Sequence, residues 1–237
     1  MCHLSMGEMV DGVTRYAVYY TPEGPLAEFG AKWLGWDSAA GAAIAHATID
    51  GLPCPLAQIT SRPRKYGFHG TIKPPFFLAD GTTLADLMTE TEALCGSLAK
   101  VTLPGLKLAQ LGRFLALVPD GDAADLGNVA STIVKNLDGF RAPPSSTELA
   151  RRRKAKLSPA QEANLAAWGY PYVMDQFRFH MTLTGPLEPA DLAATMAVLE
   201  PLLEPILQRP FVIDSMSLLG SDQLGLFHVL RRYALAG

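Results

Sequence analysis

Two segments of this chain, 111 residues apart, carry the same imidazole–hydroxyl pair on the same kind of strand. The first reads Tyr66-Gly67-Phe68-His69-Gly70-Thr71-Ile72-Lys73, and the second Phe177-Arg178-Phe179-His180-Met181-Thr182-Leu183-Thr184. Side chains two apart on a strand share a face. In the second segment Phe177, Phe179, Met181 and Leu183 therefore point one way, and Arg178, His180, Thr182 and Thr184 the other. In the first, Phe68 and Ile72 oppose His69, Thr71 and Lys73. Each strand is expected to present an imidazole beside a hydroxyl, backed by an apolar face. Imidazole moves protons near neutral pH, and a hydroxyl donates to a phosphoryl oxygen. Two such pairs turned towards each other would form an acid–base site that needs no metal.

The spacing extends beyond the motifs. Val101 and Val212, which open the next strand-like stretches, are also 111 residues apart. Helical patterns at 26–36, 84–98, 126–137, 159–168 and 189–207 alternate with strand patterns at 15–21, 101–111, 114–118, 211–219 and 226–234. Pro201 and Pro205 are expected to break or kink the last helix. Matched motif, helix and strand predict an α+β fold of two pseudo-symmetric β-α-β-β lobes, with mostly antiparallel sheets facing a central cleft. The expected division is an irregular extension at 1–12, a first lobe at 13–121 and a second at 122–237, together one bilobal domain.

Of the 237 residues about half are apolar and 18% charged, enough for a substantial core and unlike a disordered chain. A net charge of −3 argues against bulk electrostatic capture of nucleic acid, although it permits a local basic pocket. The three cysteines, Cys2, Cys54 and Cys95, are odd in number and widely spaced, as in a reduced cytoplasmic protein. No leader pattern and no bilayer-length apolar run is evident, so no membrane association is expected. Neither His-Glu-x-x-His nor Gly-x-x-x-x-Gly-Lys-Ser/Thr occurs, and no metal or cofactor is expected.

The two His-x-Thr strands resemble the two-histidine phosphoesterase superfamily. The stretches YGFHGTIKPPF (66–76) and WGYPYVMDQFRFHMTLTGPL (168–187) are similar to a bacterial branch associated with phosphonate metabolism. The resemblance implies a bilobal fold with one motif per lobe and metal-independent phosphodiester chemistry. His69 and His180 would then exchange the base and acid roles, and Thr71 and Thr182 would hold non-bridging oxygens. The expected reaction is hydrolysis of a cyclic phosphodiester on a small nucleotide or phosphorylated sugar. An RNA enzyme that processes 2′,3′-cyclic ends or joins 2′–5′ ends is the alternative, favoured less because of the acidic balance. A non-catalytic binder of a phosphorylated ligand is a third reading. Oligomeric state is not legible.

Further contacts to a substrate are expected from basic and aromatic residues. Arg151 and Arg152 lead the densest basic run, which with Arg141 could form a flap over a phosphate. Lys73 shares the face of His69 and could add positive charge to the cleft. Tyr16 and Tyr19 or Tyr20, on one strand, and Tyr170 and Tyr172, before the second motif, could stack on a base or sugar, although core packing competes for each. Arg62, Arg64 and Lys65 precede the first motif, where a cleft mouth would lie. His3, His46 and His228 belong to no pattern.

Overall fold

The structure is a computed structural model and describes residues 12–237; the expected extension at 1–12, with Cys2 and His3, lies almost wholly outside the described residues. Among the described residues, eleven strands alternate with seven α-helices. The strands are β1 (Arg15–Tyr20), β2 (Trp36–Asp37), β3 (Ala42–Ala43), β4 (Gly70–Phe76), β5 (Val101–Leu103), β6 (Leu106–Leu111), β7 (Phe114–Pro119), β8 (Met181–Thr182), β9 (Phe211–Ile213), β10 (Ser215–Ser221) and β11 (Phe227–Ala234). The helices are α1 (Gly24–Leu34), α2 (Leu56–Ile59), α3 (Leu84–Gly96), α4 (Ala124–Asn136), α5 (Ser146–Arg153), α6 (Pro159–Trp168) and α7 (Pro189–Leu203). The fold is α+β, and every strand pairing is antiparallel.

Local chemistry accounts for most boundaries. Thr83 caps α3 by accepting from the backbone N–H of Asp86, and Ser158 with Gln161 forms a full capping box on α6. Gly35 and Gly169 close α1 and α6 in the left-handed conformation. The expected strand 101–111 is two strands broken at Pro104-Gly105, and 211–219 is likewise two, broken at Asp214. Pro201 is accommodated inside α7, while Pro205 falls in the 3-10 turn that follows it. The run 146–153 is helical although it has no apolar stripe; its Ser145 cap and Glu148–Arg152 pair hold it.

Seven strands form one sheet in the order β11-β10-β1-β4-β8-β7-β6. Two groups meet in its middle, where Gly70 of β4 pairs with Met181 of β8. These residues are 111 apart, so each motif pairs with its own counterpart. β5 and β9, the counterparts at 101 and 212, also pair with each other. The flanking strands interleave along the chain. The β6–β7 hairpin, from the first half, pairs with β8, whereas β10–β11, from the second half, adjoins β1. A cut at 121/122 therefore does not follow the division of the sheet.

The principal core lies on one face, where Val18, Ile72, Leu115, Leu117, Met181, Leu183 and Leu218 are buried with α3, α4 and α7 residues Leu87, Ile133 and Leu199. The other face carries a small second cluster of Ala17, Tyr19, Leu219 and Phe227, with Tyr66 packed against it. β1 makes the division plain: Tyr16, Val18 and Tyr20 enter the main core, and Ala17 and Tyr19 face the opposite way. Helix α1 braces both motifs. The Phe68 ring lies on the Gly30 backbone, and Trp33 Nε1 donates to the Leu183 carbonyl at 2.8 Å.

Candidate active site

The pairing of Gly70 with Met181 determines the layout of the candidate site. In an antiparallel pair of that register His69 lies beside Thr182 and Thr71 beside His180, all on the face away from the main core. The apolar alternation of the second motif holds: Phe179, Met181 and Leu183 are fully or nearly buried in the core. Thr184 is an exception on the polar side. It is buried, and its hydroxyl accepts from the Leu115 N–H at 3.0 Å, which ties β8 to β7.

Each imidazole is oriented by a carbonyl two residues upstream. His69 Nδ1–H donates to Gly67 O and His180 Nδ1–H to Arg178 O, both at 2.9 Å. A carbonyl only accepts, so Nδ1 carries the proton in both rings, and Nε2 of the neutral form is an acceptor. The Thr71 hydroxyl donates to His69 Nε2 at 3.1 Å. Gly67 makes the first of these bonds possible, because its φ of +71° lies where side-chain-bearing residues are strained. Tyr19 stacks on the His69 ring with centroids 3.8 Å apart and planes 23° from parallel. Burial is the main reason that the His69 pKa falls to about 4; the Gly67 bond opposes the shift, and the nearby charge of His180 adds to it. His180 packs near Phe114, with centroids 5.9 Å apart.

Gly70 is required by its neighbour. A Cβ there would sit 2.2 Å from the Phe179 ring, which covers β4 at the joint. The first motif is thus His-Gly-Thr, and the second carries Met181 into the core at the corresponding place.

Two adjoining hollows open on this face, and His69, Tyr66 and Thr182 line both. One, of about 400 Å³, is bounded by Thr71 and Tyr19 and by Arg15, Lys65, Arg151, Arg152 and Tyr170. The other, of about 370 Å³, is more apolar and includes Pro63, Phe114, Pro186 and Arg62. Among the described residues, no group of three or more His, Cys, Asp and Glu side chains is placed to hold a metal ion, and no helix is long and apolar enough to cross a membrane.

His69, Thr71, Thr182, Arg151 and Arg152 thus line one hollow; His180, beside Thr71 by the strand register, lines neither hollow, and the other expected contacts lie elsewhere. Lys73 is only 2% exposed and points to the end of α4, donating to the Val134 carbonyl (3.1 Å) and to Asp138 (3.4 Å). The register between β1 and β4 shifts on either side of Val18↔Lys73, and such an irregularity breaks the alternation that placed Lys73 with His69. Arg141 grips Asp138 through both its Nε (2.8 Å) and Nη2 (3.0 Å) and also donates to the Ala167 carbonyl, so it holds the chain after α4 to the end of α6. Tyr16 is a core residue against Phe76. Tyr172 is 42% exposed and lines neither hollow; its neighbour Tyr170 faces the basic one. Arg64 turns inward to the Leu34 and Ala57 carbonyls. Arg15, Tyr19, Tyr66, Tyr170 and Phe114 complete the walls. Tyr19 and Tyr170 stood among the aromatic candidates of the sequence, whereas Arg15 carries no local signal.

Comparison with known proteins gives a family but no activity. The family described as "Protein of unknown function (DUF1045)" matches residues 71–228, and the chain belongs to it. Two curated relatives bear the name ribose 1,5-bisphosphate phosphokinase PhnN. The one from Janthinobacterium sp. (strain Marseille) is 39% identical over 184 residues, 76% of this chain and 41% of the relative. The one from Laribacter hongkongensis (strain HLHK9) is 33% identical over 188 residues, 77% of this chain and 43% of the relative. The chain therefore spans less than half the length of these relatives. Among solved structures, E. coli LigT complexed with NADP+ aligns over 96% of this chain and 100% of its own at 15% identity and a TM-score of 0.45. A structure described as a phosphoesterase aligns over 95% and 99% at 14% identity and a TM-score of 0.44.

Proposed function

We propose that the chain is a metal-independent phosphoesterase that hydrolyses a cyclic phosphodiester on a small phosphorylated sugar or nucleotide. The observation that carries the reading is the pairing of Gly70 with Met181, which sets two imidazole–hydroxyl pairs side by side in opposite senses. In the reaction His69 Nε2 takes a proton from water. The water oxygen forms a bond to phosphorus, the bond to the leaving oxygen breaks, and His180, protonated on both nitrogens, gives its Nε2 proton to the departing alkoxide. The product is a phosphomonoester. The Thr71 and Thr182 hydroxyls donate to the non-bridging oxygens as charge gathers on them. The assignment of His69 as the base follows from its depressed pKa, which keeps it unprotonated at neutral pH. A bound phosphodiester anion raises that pKa and makes the ring a better proton acceptor.

The names of the curated relatives refer to a ribose bisphosphate, which favours a phosphorylated pentose as substrate. The phosphokinase activity in those names is not carried over, because most of each relative lies outside the match. A place in phosphonate metabolism, implied by the resemblance of the motif segments, belongs to the same proposal. The test is a screen of nucleoside 2′,3′-cyclic and ribose 1,2-cyclic phosphates with wild-type protein, His69→Ala, His180→Ala and the double variant, with and without chelator. Each single variant is expected to lose about 10²- to 10⁴-fold in rate with chelator having no effect. Full activity in both single variants, or no turnover of any cyclic phosphate by the wild type, would refute it.

A further inference from the structure

We infer that the basic hollow contains a subsite for a second phosphate, a terminal phosphomonoester on the molecule whose cyclic ester lies between the two motifs. This deepens the proposed function and rests on it for the identity of the first phosphate. A cyclic phosphodiester carries one negative charge, and the hydroxyls and imidazoles of the motifs already face it. Arg15, Lys65, Arg151 and Arg152 line the same cavity in addition, and among the described residues no carboxylate lines it.

The nearby acid is Glu148, one turn back on α5. Its Oε1 accepts from Arg152 at 2.6 Å and lies 3.8 Å from Arg151, so one carboxylate is shared by two guanidinium groups. Among the described residues, Arg15 and Lys65 have no ion pair; each lies over an aromatic ring instead, Arg15 over Phe227 (5.8 Å) and Lys65 over Tyr66 (5.0 Å). The cluster is left strongly positive.

Arg152 is already held in place. Its side chain is 17% exposed, Glu148 fixes one end of the guanidinium, and its Cζ lies 4.6 Å from the centre of the Tyr170 ring. Its Nε is buried and, among the described residues, has no acceptor. Buried donors without an acceptor are rare in folded proteins, and a phosphoryl oxygen matches the planar fork of arginine. The hollow of about 400 Å³ has room for a sugar between its two ends. A dianionic monoester fits this charge better than the singly charged diester that adjoins a 2′,3′-cyclic RNA end.

The test separates binding from turnover. Ribose 5-phosphate and ribose are titrated calorimetrically into wild type, Arg152→Gln, Arg151→Gln and His180→Ala. Arg151 is exposed, so its variant remains informative if loss of Arg152 disturbs folding. Ribose 5-phosphate is expected to bind wild type and His180→Ala alike, and roughly 10- to 100-fold more weakly to the arginine variants, the range for a charge-assisted hydrogen bond. Ribose is expected to bind far more weakly to all four. Equal binding of ribose and its 5-phosphate, or equal binding by wild type and both arginine variants, overturns the subsite. So does an RNA 2′,3′-cyclic end that binds as tightly as ribose 5-phosphate with the same arginine dependence, which would assign the cations to a nucleic-acid backbone. If ribose 5-phosphate binds as expected but no cyclic phosphate is hydrolysed, the subsite stands and the hydrolase reading falls. If ribose 1,2-cyclic phosphate is hydrolysed equally well with and without a 5-phosphate, the reverse holds.

Discussion

Replacing Lys73 by methionine should make the protein insensitive to pH in a window where the wild type is not. Lys73 is 2% exposed, and burial, with a smaller contribution from Arg141, brings its pKa from 10.5 down to about 8 against the pull of Asp138. Between pH 8 and 10.5 the unfolded chain keeps a proton that the folded chain has released. Unfolding therefore takes up a proton, and stability climbs with pH across that window. Below pH 8 both states hold the proton and the contribution is flat. A difference of about 2.5 pKa units corresponds to about 3 kcal/mol. Methionine fills the space without the charge, and Asp138 keeps both of its bonds from Arg141. Urea unfolding of wild type and Lys73→Met at pH 7.5, 8.5, 9.5 and 10.5 should give a stability difference that grows in favour of the wild type by up to about 3 kcal/mol. At pH 7.5 the variant should be as stable as wild type or more so, by about 1–4 kcal/mol, as found when buried charges give way to apolar groups. Its kcat/KM should be unchanged, since Lys73 points away from the imidazoles. Parallel pH curves, or a large loss of turnover, would refute both the burial argument and the placement.

Asp138→Ala, in contrast, leaves Lys73 and Arg141 without their carboxylate and should cost about 3–5 kcal/mol by the same urea measurement. Gly70→Ala forces a methyl group into the Phe179 ring and should cost about 1–3 kcal/mol together with a loss of kcat; Phe179→Leu in the same chain should restore part of both. With His69 as the proposed base and burial lowering its pKa to about 4, kcat/KM should rise with pH through that region rather than near 6.5, and NMR titration of the ring should give the same midpoint. Tyr170→Ala should weaken substrate binding, whereas Tyr172→Ala should not, as read from KM.

What was legible in the sequence was local and periodic. The polar and apolar faces of 177–184 follow from strand alternation alone, and Thr182 of β8 lines both hollows. Lys73 was misplaced because the alternation was extended through an irregularity whose local sign is Pro74-Pro75, a pair that cannot donate to the ladder. Tyr16 and Tyr19 could not be told apart for a related reason: the strand was recognised, but its phase depends on which face the helices cover. The helix at 146–153 has no apolar stripe, so periodicity could not reveal it. The equal offsets pointed to paired units, yet strand order depends on contacts between residues roughly 200 apart, such as Tyr16 with Gly220, and no local pattern records those.

The interleaving of strands bears on how the protein comes into being. The strand that follows the first imidazole is flanked by β1, and β1 in turn by β10, which is made about 200 residues after it. A nascent chain that stops short of residue 215 leaves β1 with an open edge and cannot shelter the ring that stacks on Tyr19. Neither half of the polypeptide can act as a template for the other in isolation, so a gene split between the halves should yield fragments that recover activity only when produced together.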